Sequence, residues 1–537
     1  MKNIYKKIIV CFSLVALVTG CEKELDLSNP TALSIEELLQ TNNGFELLSN
    51  GVLDAYQKVP ANEFLLIELR SDNVRANSEN GNFPAINAYN VDPNNGDVST
   101  YYSNNMSTIK HANTIIDNRF LAPEDQQYTV GEAYFMRALC HFNLVRAYQN
   151  VPYVDKVLDI TKNEALDYPQ LPEADVYAKI IEDFKTSIAY LDGVAQNRYR
   201  PSKGAAICLA AKAYLSQPNP NYDEAELLLA SVVENNGAYN YDLIFTERDN
   251  AEQFVFNADP LDPSIDILTD GEYYANLAIN YGNVFGNQFT GDYSESEIVL
   301  DGDWSNNSGF EINDEVIFSI AYDLVSSDNY TTSDSGLGDQ VETDSESHSF
   351  AMTLQGPSNG VNIASLDFLE VMTPELQPVR FPASVNPIEY GSFLSNNTVD
   401  VFNTKFPTNG EIGDNDWIVL RYADVLLLYA ESILRPNEND STTDQRAIDA
   451  FNQVRSRAGL EEVANLTKEE LLAERRVEFV YENQRLYDLI RFGEADTVLK
   501  DFSNQNSLFY TNEKKFLPFP QREIDNIPNF YKQNNGY

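Results

Sequence analysis

The chain has 537 residues, 37 basic against 82 acidic, and a formal net charge of −45. So acidic a polymer is repelled by nucleic acid, and its 31 Tyr and 29 Phe carry too much apolar surface for a disordered chain. A soluble, well-filled globule with a sticky but uncharged surface is expected, with more than one small core to fill.

Met1 to Cys21 reads as an export segment. Lys2, Lys6 and Lys7 form a basic start, and Ile8 to Val18 is an apolar run too short to span a bilayer. Val18-Thr19-Gly20-Cys21 ends in a thiol, which a generic cleavage site does not need and a lipobox does. Residues 1–20 are therefore expected to leave as a signal peptide, with Cys21 acylated. Several acyl chains, at about 0.8 kcal/mol per buried CH₂, anchor a protein to a membrane stably.

The stretch 21–238 is expected to be a helical domain. Ser34 and Glu37 make a capping box, and helices follow at Met106 to Asn118 and at Glu132 to Gln149, the latter ending at the turn Asn150-Val151-Pro152. Glu173 to Leu191, Ser202 to Leu215 and Asp223 to Glu234 continue in antiparallel pairs joined by short linkers. Cys140 and Cys208 lie in apolar helical stretches and read as buried thiols, a disulfide between them being the alternative.

Between residues 239 and 414 the texture changes to Gly, Asn, Ser, Asp and aromatics, with short strands such as Glu315 to Tyr322 alternating by twos. This is expected to be a loop region laid over the helical scaffold, where binding residues commonly sit. Ser326 to Ser349 is a low-complexity polar loop.

Residues 415–537 read as a second helical domain. Ile418 to Leu434 is apolar nearly all round and is expected as one buried helix, with Arg421, Asp424 and Glu431 as a thin line of structural ion pairs and Trp417 in the core. Arg446 to Ala458 ends at Gly459. Thr467 and Glu470 make a second capping box, and Glu474 to Phe492 is expected as a single helix ending at Gly493. On it Val477, Val480 and Tyr487 form one apolar row and Phe479, Leu486 and Ile490 another. Arg475, Glu478, Glu482, Arg485, Asp488 and Arg491 form a third, read as a solvated, ion-paired stripe in preference to a docked one.

Catalytic patterns fail. There is no Gly-x-Ser-x-Gly elbow, zinc helix or phosphate loop, and with only His111, His141 and His348 a histidine mechanism has little to use. Asp301-x-Asp303-x-Ser305 is a partial calcium loop lacking its sixth-position Gly and its twelfth-position Glu, so no metal and no cofactor is expected. The remaining chemistry is stacking: sugar C–H faces pack on flat aromatics while amides and carboxylates bond the hydroxyls. Asn87 to Tyr102 offers Tyr89, Tyr101 and Tyr102. Tyr273 to Trp304 offers Tyr281, Phe285, Phe289, Tyr293 and Trp304, with Asp301, Asp303 and Asn306 beside the last.

RYADVLLLYAES, FNQVRSRAGL, ERRVEFVYENQRLYDLIRF and FLPFPQREIDNIPNFYKQNNGY follow one another at the C-terminal end, and ANTIID and GEAYFMRALCHFNLVRAYQNVPY near the start. In this order they resemble the SusD/RagB family of nutrient-binding outer-membrane lipoproteins. One departure is Glu482-Asn483, where the family usually has Glu-Gly; another is Phe492 in place of a Trp. The resemblance implies a mostly α, tetratricopeptide-like helical-pair scaffold carrying a loop-rich, short-strand region. It also makes Glu22, Lys23, Glu24 and Asp26 similar to the acidic tether that takes family members to the cell surface. The implied role is binding an oligomeric nutrient, a glycan first, and passing it to a SusC-like TonB-dependent transporter. Peptides, as for the RagB branch, are an alternative that the scarcity of Trp favours slightly; a lipid-anchored hydrolase with two carboxylates is the enzyme alternative.

Overall fold

In the computed structural model the chain is mostly helical, and helix packs on helix in sequence order. The structure describes residues 34–76, 83–191, 198–235, 238–243, 287–289, 304–306, 314–321, 363–385, 387–395, 400–403, 405–406 and 416–537. The described residues fall into two compact units, one up to Leu47 and one from Leu48 onward. The first contains the short helix Ile35–Leu38, opened by the Ser34–Glu37 capping box.

In the second unit, Val59–Ile67 packs on Gly96–Asp117, which packs on Gln127–Tyr148, then Glu173–Tyr190, Lys203–Ser216 and Tyr222–Val233. The array then takes in Tyr422–Leu434, which lies against Tyr222–Val233 and carries Gln445–Arg457 on its other flank. Tyr422–Leu434 is thus the helix that follows Tyr222–Val233 in this array. Spacing within it is tight: a Cβ built on Gly131 would stand 2.8 Å from Tyr190 Cβ and 2.9 Å from Leu191 Cγ, so only glycine allows that helix pair to close.

Side-chain caps start these helices, and the one at Thr467 was expected. Asn95, Ser202, Asn221, Asp444 and Thr467 each accept backbone N–H bonds of the first turn. The helix expected from Met106 begins ten residues earlier, at Gly96. Its first turns are rich in Ser, Thr and Asn, which propensity alone would leave unformed, but burial of Val98, Tyr101, Tyr102 and Asn105 overrides that.

Two expectations fail for tertiary reasons. Ile418 to Leu434 is not one helix: Trp417–Arg421 is a strand, antiparallel to Val316–Ile320, and the helix starts at Tyr422. Every residue of Val316–Ile320 is buried, so its sequence does not alternate by burial. The pair is clamped between rings, Phe318 edge-on to Phe135 at 5.1 Å and Trp417 edge-on to Phe64 at 6.1 Å.

The second failure is the Glu474 to Phe492 helix. It is two helices, Lys468–Glu478 and Arg485–Arg491, separated by a turn in which Tyr481 and Asn483 take left-handed φ values of 63° and 57°. The turn points its N–H groups at one acceptor: the buried Glu68 carboxylate takes them from Tyr481 at 3.3 Å and Asn483 at 3.1 Å. Asn tolerates the left-handed region better than most residues, and Gly better still, so a glycine at position 483 has a backbone reason that a continuous helix would lack.

The charged stripe on this segment is buried. Glu478 accepts from Arg380, Arg421 and Arg457, while Glu315 accepts from Arg421 at 2.8 Å and Arg457 at 2.6 Å. Glu482 binds Lys405 at 2.6 Å and Arg421 through both oxygens at 2.8 Å. Beside it, Asp424 joins Lys212 to Arg475, and Asp488 joins Arg475 to Arg491, which reaches Glu431. Solvation is replaced by near-complete pairing, the condition under which buried charge is tolerated. The structural ion-pair reading of Arg421, Asp424 and Glu431 holds.

Candidate binding surface

The aromatic set around residues 87–102 does not form an exposed platform. After the helix Phe83–Asn87 the chain turns through Tyr89, at φ 56°, and enters the Gly96–Asp117 helix. Tyr89 is buried, its hydroxyl donating to Arg70 O at 2.7 Å and its ring edge-on to Tyr510 at 5.0 Å. Tyr101 is fully buried, and Tyr102 is wedged edge-on between Tyr148 at 5.7 Å and Phe519 at 5.2 Å. Tyr101 and Tyr102 lie on the buried face of their helix, and Tyr89 is buried in the turn before it. The exposed residues of this stretch are Asn90, Asp92, Asn94, Gly96 and Thr100, none of them aromatic.

Trp304 falls in a two-stranded antiparallel pair, Asn287–Phe289 with Trp304–Asn306, whose register sets Phe289 opposite Trp304 and Asn287 opposite Asn306. Asp301, Asp303, Cys21, Tyr281, Phe285, Tyr293, His348 and the 326–349 loop lie outside the described residues. Trp417 is in the core, as expected.

Among the described residues, exposed aromatic rings include Phe120 at 76% and Phe509 at 62%. Asn504, Gln505 and Asn506 on the same segment are exposed as well, and the Phe509 N–H meets Ala88 O on the loop that carries the exposed Asn90. Sequence reasoning missed Phe509. The only available signal was an apolar residue following a run of amides, just past the end of a helix.

Titratable groups in the interior serve the scaffold. Burial raises the Glu68 carboxyl to about 7, against the two backbone N–H groups and Lys405 that favour its ionised form. Asp72 is held well below the usual carboxylate range by Arg476 and Arg485, which outweigh its burial. His141 is lowered to about 3, chiefly by burial, and works as a neutral ring: Nδ1 donates to Arg137 O at 3.0 Å, Nε2 accepts from Val154 N–H at 3.1 Å, and the ring stacks on Tyr153 at 4.0 Å. Cys140 and Cys208 are free, buried thiols, not a disulfide. No cluster of three or more His, Cys, Asp or Glu suited to a metal occurs among the described residues. Nor is any described helix long and apolar enough to cross a membrane.

One polar cavity lies between the N- and C-terminal helices, lined by Tyr56, Glu63, Arg146, Lys212, Glu482 and Asn483 among others. Its volume of about 30 Å³ holds about two water molecules and no sugar ring. The carboxamide of Asn483 has no protein partner at either end, which suits ordered water there.

Residues 382–537 match the model of a family described as the SusD family, and residues 22–215 match one described as "Starch-binding associating with outer membrane". SusD-like protein P2 of Formosa agariphila is 24% identical, with 99% of this chain and 100% of the relative covered. A SusD-like protein of Bacteroides ovatus is also 24% identical, covering 79% and 71%. Among solved structures, a SusD homolog of Bacteroides thetaiotaomicron superposes with a TM-score of 0.68 at 19% identity, over 94% of this chain and 99% of that one. A laminarin-binding SusD-like protein gives 0.65 at 20% identity, over 93% and 100%. Surface glycan-binding protein A of B. thetaiotaomicron, in complex with laminarihexaose, gives 0.63 at 19%, over 92% and 99%.

Proposed function

Because the chain belongs to the SusD/RagB family, we propose that it is a cell-surface lipoprotein of the outer membrane that binds a glycan without turning it over and delivers it to a SusC-like TonB-dependent transporter. The observation that carries this reading is the pairing of two family matches, at residues 22–215 and 382–537, on one helical scaffold that superposes on glycan-binding proteins over most of its length. The Cys21 lipobox supports the anchor. The strand pair bearing Trp304 and Asn306, with Asp301 and Asp303 just before it in the chain, supports the loop region as the ligand platform. Tyr89, Tyr101 and Tyr102 are left out of that platform because they are buried.

The test is calorimetry of the purified protein against laminarihexaose, cellohexaose, maltohexaose and mannohexaose, with product analysis of each mixture. Saturable binding with intact oligosaccharide is expected. Cleaved product formed by the protein alone would instead make it a hydrolase, and binding only to a peptide panel would move the ligand to the RagB type. Cys21→Ala should lose palmitate labelling and outer-membrane retention; labelling that persists would remove Cys21 as the anchor.

A further inference from the structure

Asparagine followed by glycine is the pair in which a backbone amide nitrogen most easily reaches the preceding side-chain carbonyl, because glycine puts no side chain in the way. Among the described residues such pairs occur at Asn43-Gly44, Asn50-Gly51, Asn95-Gly96 and Asn535-Gly536. The fold treats them differently.

The first three are held. Gly44 is buried, and its N–H donates to Thr41 O at 3.4 Å. Asn50 and Gly51 lie inside the Gly44–Gln57 helix, whose ladder engages the backbone N–H groups, and Asn50 Oδ1 accepts from Arg200. Asn95 is buried and commits its side-chain oxygen to the helix cap, accepting from Asp97 N–H at 2.8 Å and Val98 N–H at 3.2 Å.

Asn535 and Gly536 are both exposed and form a turn. Neither hydrogen-bonds to any described residue. The flanks are fixed: Asn534 Nδ2 donates to Tyr148 O at 2.9 Å and Leu517 O at 2.7 Å, and the Tyr537 hydroxyl to Phe516 O at 2.9 Å. Gly536 takes φ 92°, and a Cβ built on it would stand 3.0 Å from Glu513 Cβ, so this turn favours glycine and leaves the amide nitrogen bare.

We propose that Asn535 is a site of spontaneous deamidation in the folded protein. The Gly536 amide nitrogen attacks Asn535 Cγ and the new C–N bond closes a succinimide; the Cγ–Nδ2 bond breaks, and ammonia leaves with the Gly536 amide proton. Water then adds to one of the two imide carbonyls and opens the ring to an aspartyl or an isoaspartyl residue. Nothing is oxidised or reduced. Either product adds a negative charge to the turn that abuts Glu513, and the isoaspartyl form adds a methylene to the main chain between the anchors at Asn534 and Tyr537.

The experiment incubates the full protein in mildly alkaline buffer, folded and in urea, then digests it and resolves aspartyl from isoaspartyl peptides by chromatography and mass spectrometry. In the folded protein the peptide carrying Asn535 is expected to convert several-fold faster than those carrying Asn43, Asn50 and Asn95. In urea, where no pair is held, the four should react at similar rates. Asn535→Gln should remove the change from its peptide. Equal rates at the four pairs in the folded protein, or an Asn535 that reacts only in urea, overturns the proposal. A lead for Asn535 that persists undiminished in urea does so too, because the fold would then select nothing. Conversion that survives in Asn535→Gln would place the reaction at Asn534 and overturn the assignment.

Discussion

Asp72 and Arg485, 413 positions apart, meet in a bidentate ion pair, Nε to Oδ1 at 2.7 Å and Nη2 to Oδ2 at 2.8 Å. Both are buried, and Arg476 approaches the same carboxylate at 3.1 Å. The pair fastens the segment after Val59–Ile67 to the start of the Arg485–Arg491 helix. The neighbouring Glu68 bonds to Tyr481 and Asn483 do the same for the turn before it.

Removing Asp72 leaves the buried Arg485 and Arg476 without their shared carboxylate, and removing Arg485 leaves Asp72 with Arg476 as its remaining cation. Arg485→Ala or Asp72→Ala should each cost about 3–5 kcal/mol in chemical denaturation. The double variant should cost clearly less than the sum, since the Asp72–Arg485 contact can be lost only once. Additive losses would mean that the two residues act independently.

Glu68 should make stability depend on pH. Its carboxyl titrates near 4.5 when exposed and at about 7 when buried here. Below 4.5 it is protonated in both states. Between 4.5 and about 7 the unfolded chain releases its proton while the folded one keeps it, so this group's contribution to stability falls as pH rises and levels off above 7. The full swing is about 3 kcal/mol. Glu68→Gln, which mimics the protonated form, should therefore gain in melting temperature relative to wild type between pH 5 and pH 8. Parallel curves would show that Glu68 does not titrate in this window. Asp72 works the other way: its folded carboxyl is depressed, so its contribution is present at neutral pH and is lost as the solution is acidified.

Tyr102→Ala should lower stability by about 3–5 kcal/mol, the cost of emptying a large aromatic site in a packed core, because its ring fills the space between Tyr148 and Phe519. Glycan affinity should not change. A stable variant with weakened binding would return Tyr102 to the ligand surface.

Gly131→Ala tests the helix array. A methyl group there meets Tyr190 and Leu191 inside 3.0 Å, so the Gln127–Tyr148 and Glu173–Tyr190 helices must separate. Overpacking of this kind costs about 1–3 kcal/mol, visible as a lowered denaturation midpoint. An unchanged midpoint would show that the contact yields freely.

Much of the scaffold was legible in the chain because helix signals are local. The Ser34 and Thr467 capping boxes, the left-handed Gly459 and Gly493 and the apolar faces from Glu173 to Leu215 all act within a few residues of where they are written. The family resemblance was legible for the same reason, in short runs whose order could be read directly.

What failed depended on partners far away in the chain. Whether Trp417–Arg421 is strand or helix was decided by Val316–Ile320 lying alongside. Whether the Arg475 to Arg491 charges face water or one another was decided by Arg380, Lys405, Arg421 and Arg457 arriving from other segments. Tyr89, Tyr101 and Tyr102 looked like a sugar platform beside their asparagines, but ring and amide types do not reveal which side of a helix the core occupies. The sequence by itself determined the helical class and the family resemblance, both carried by local pattern. Only the tertiary structure decided which aromatics are buried, where the Glu474 to Phe492 segment breaks and how its charges are paired, because burial and pairing depend on which distant segments pack together.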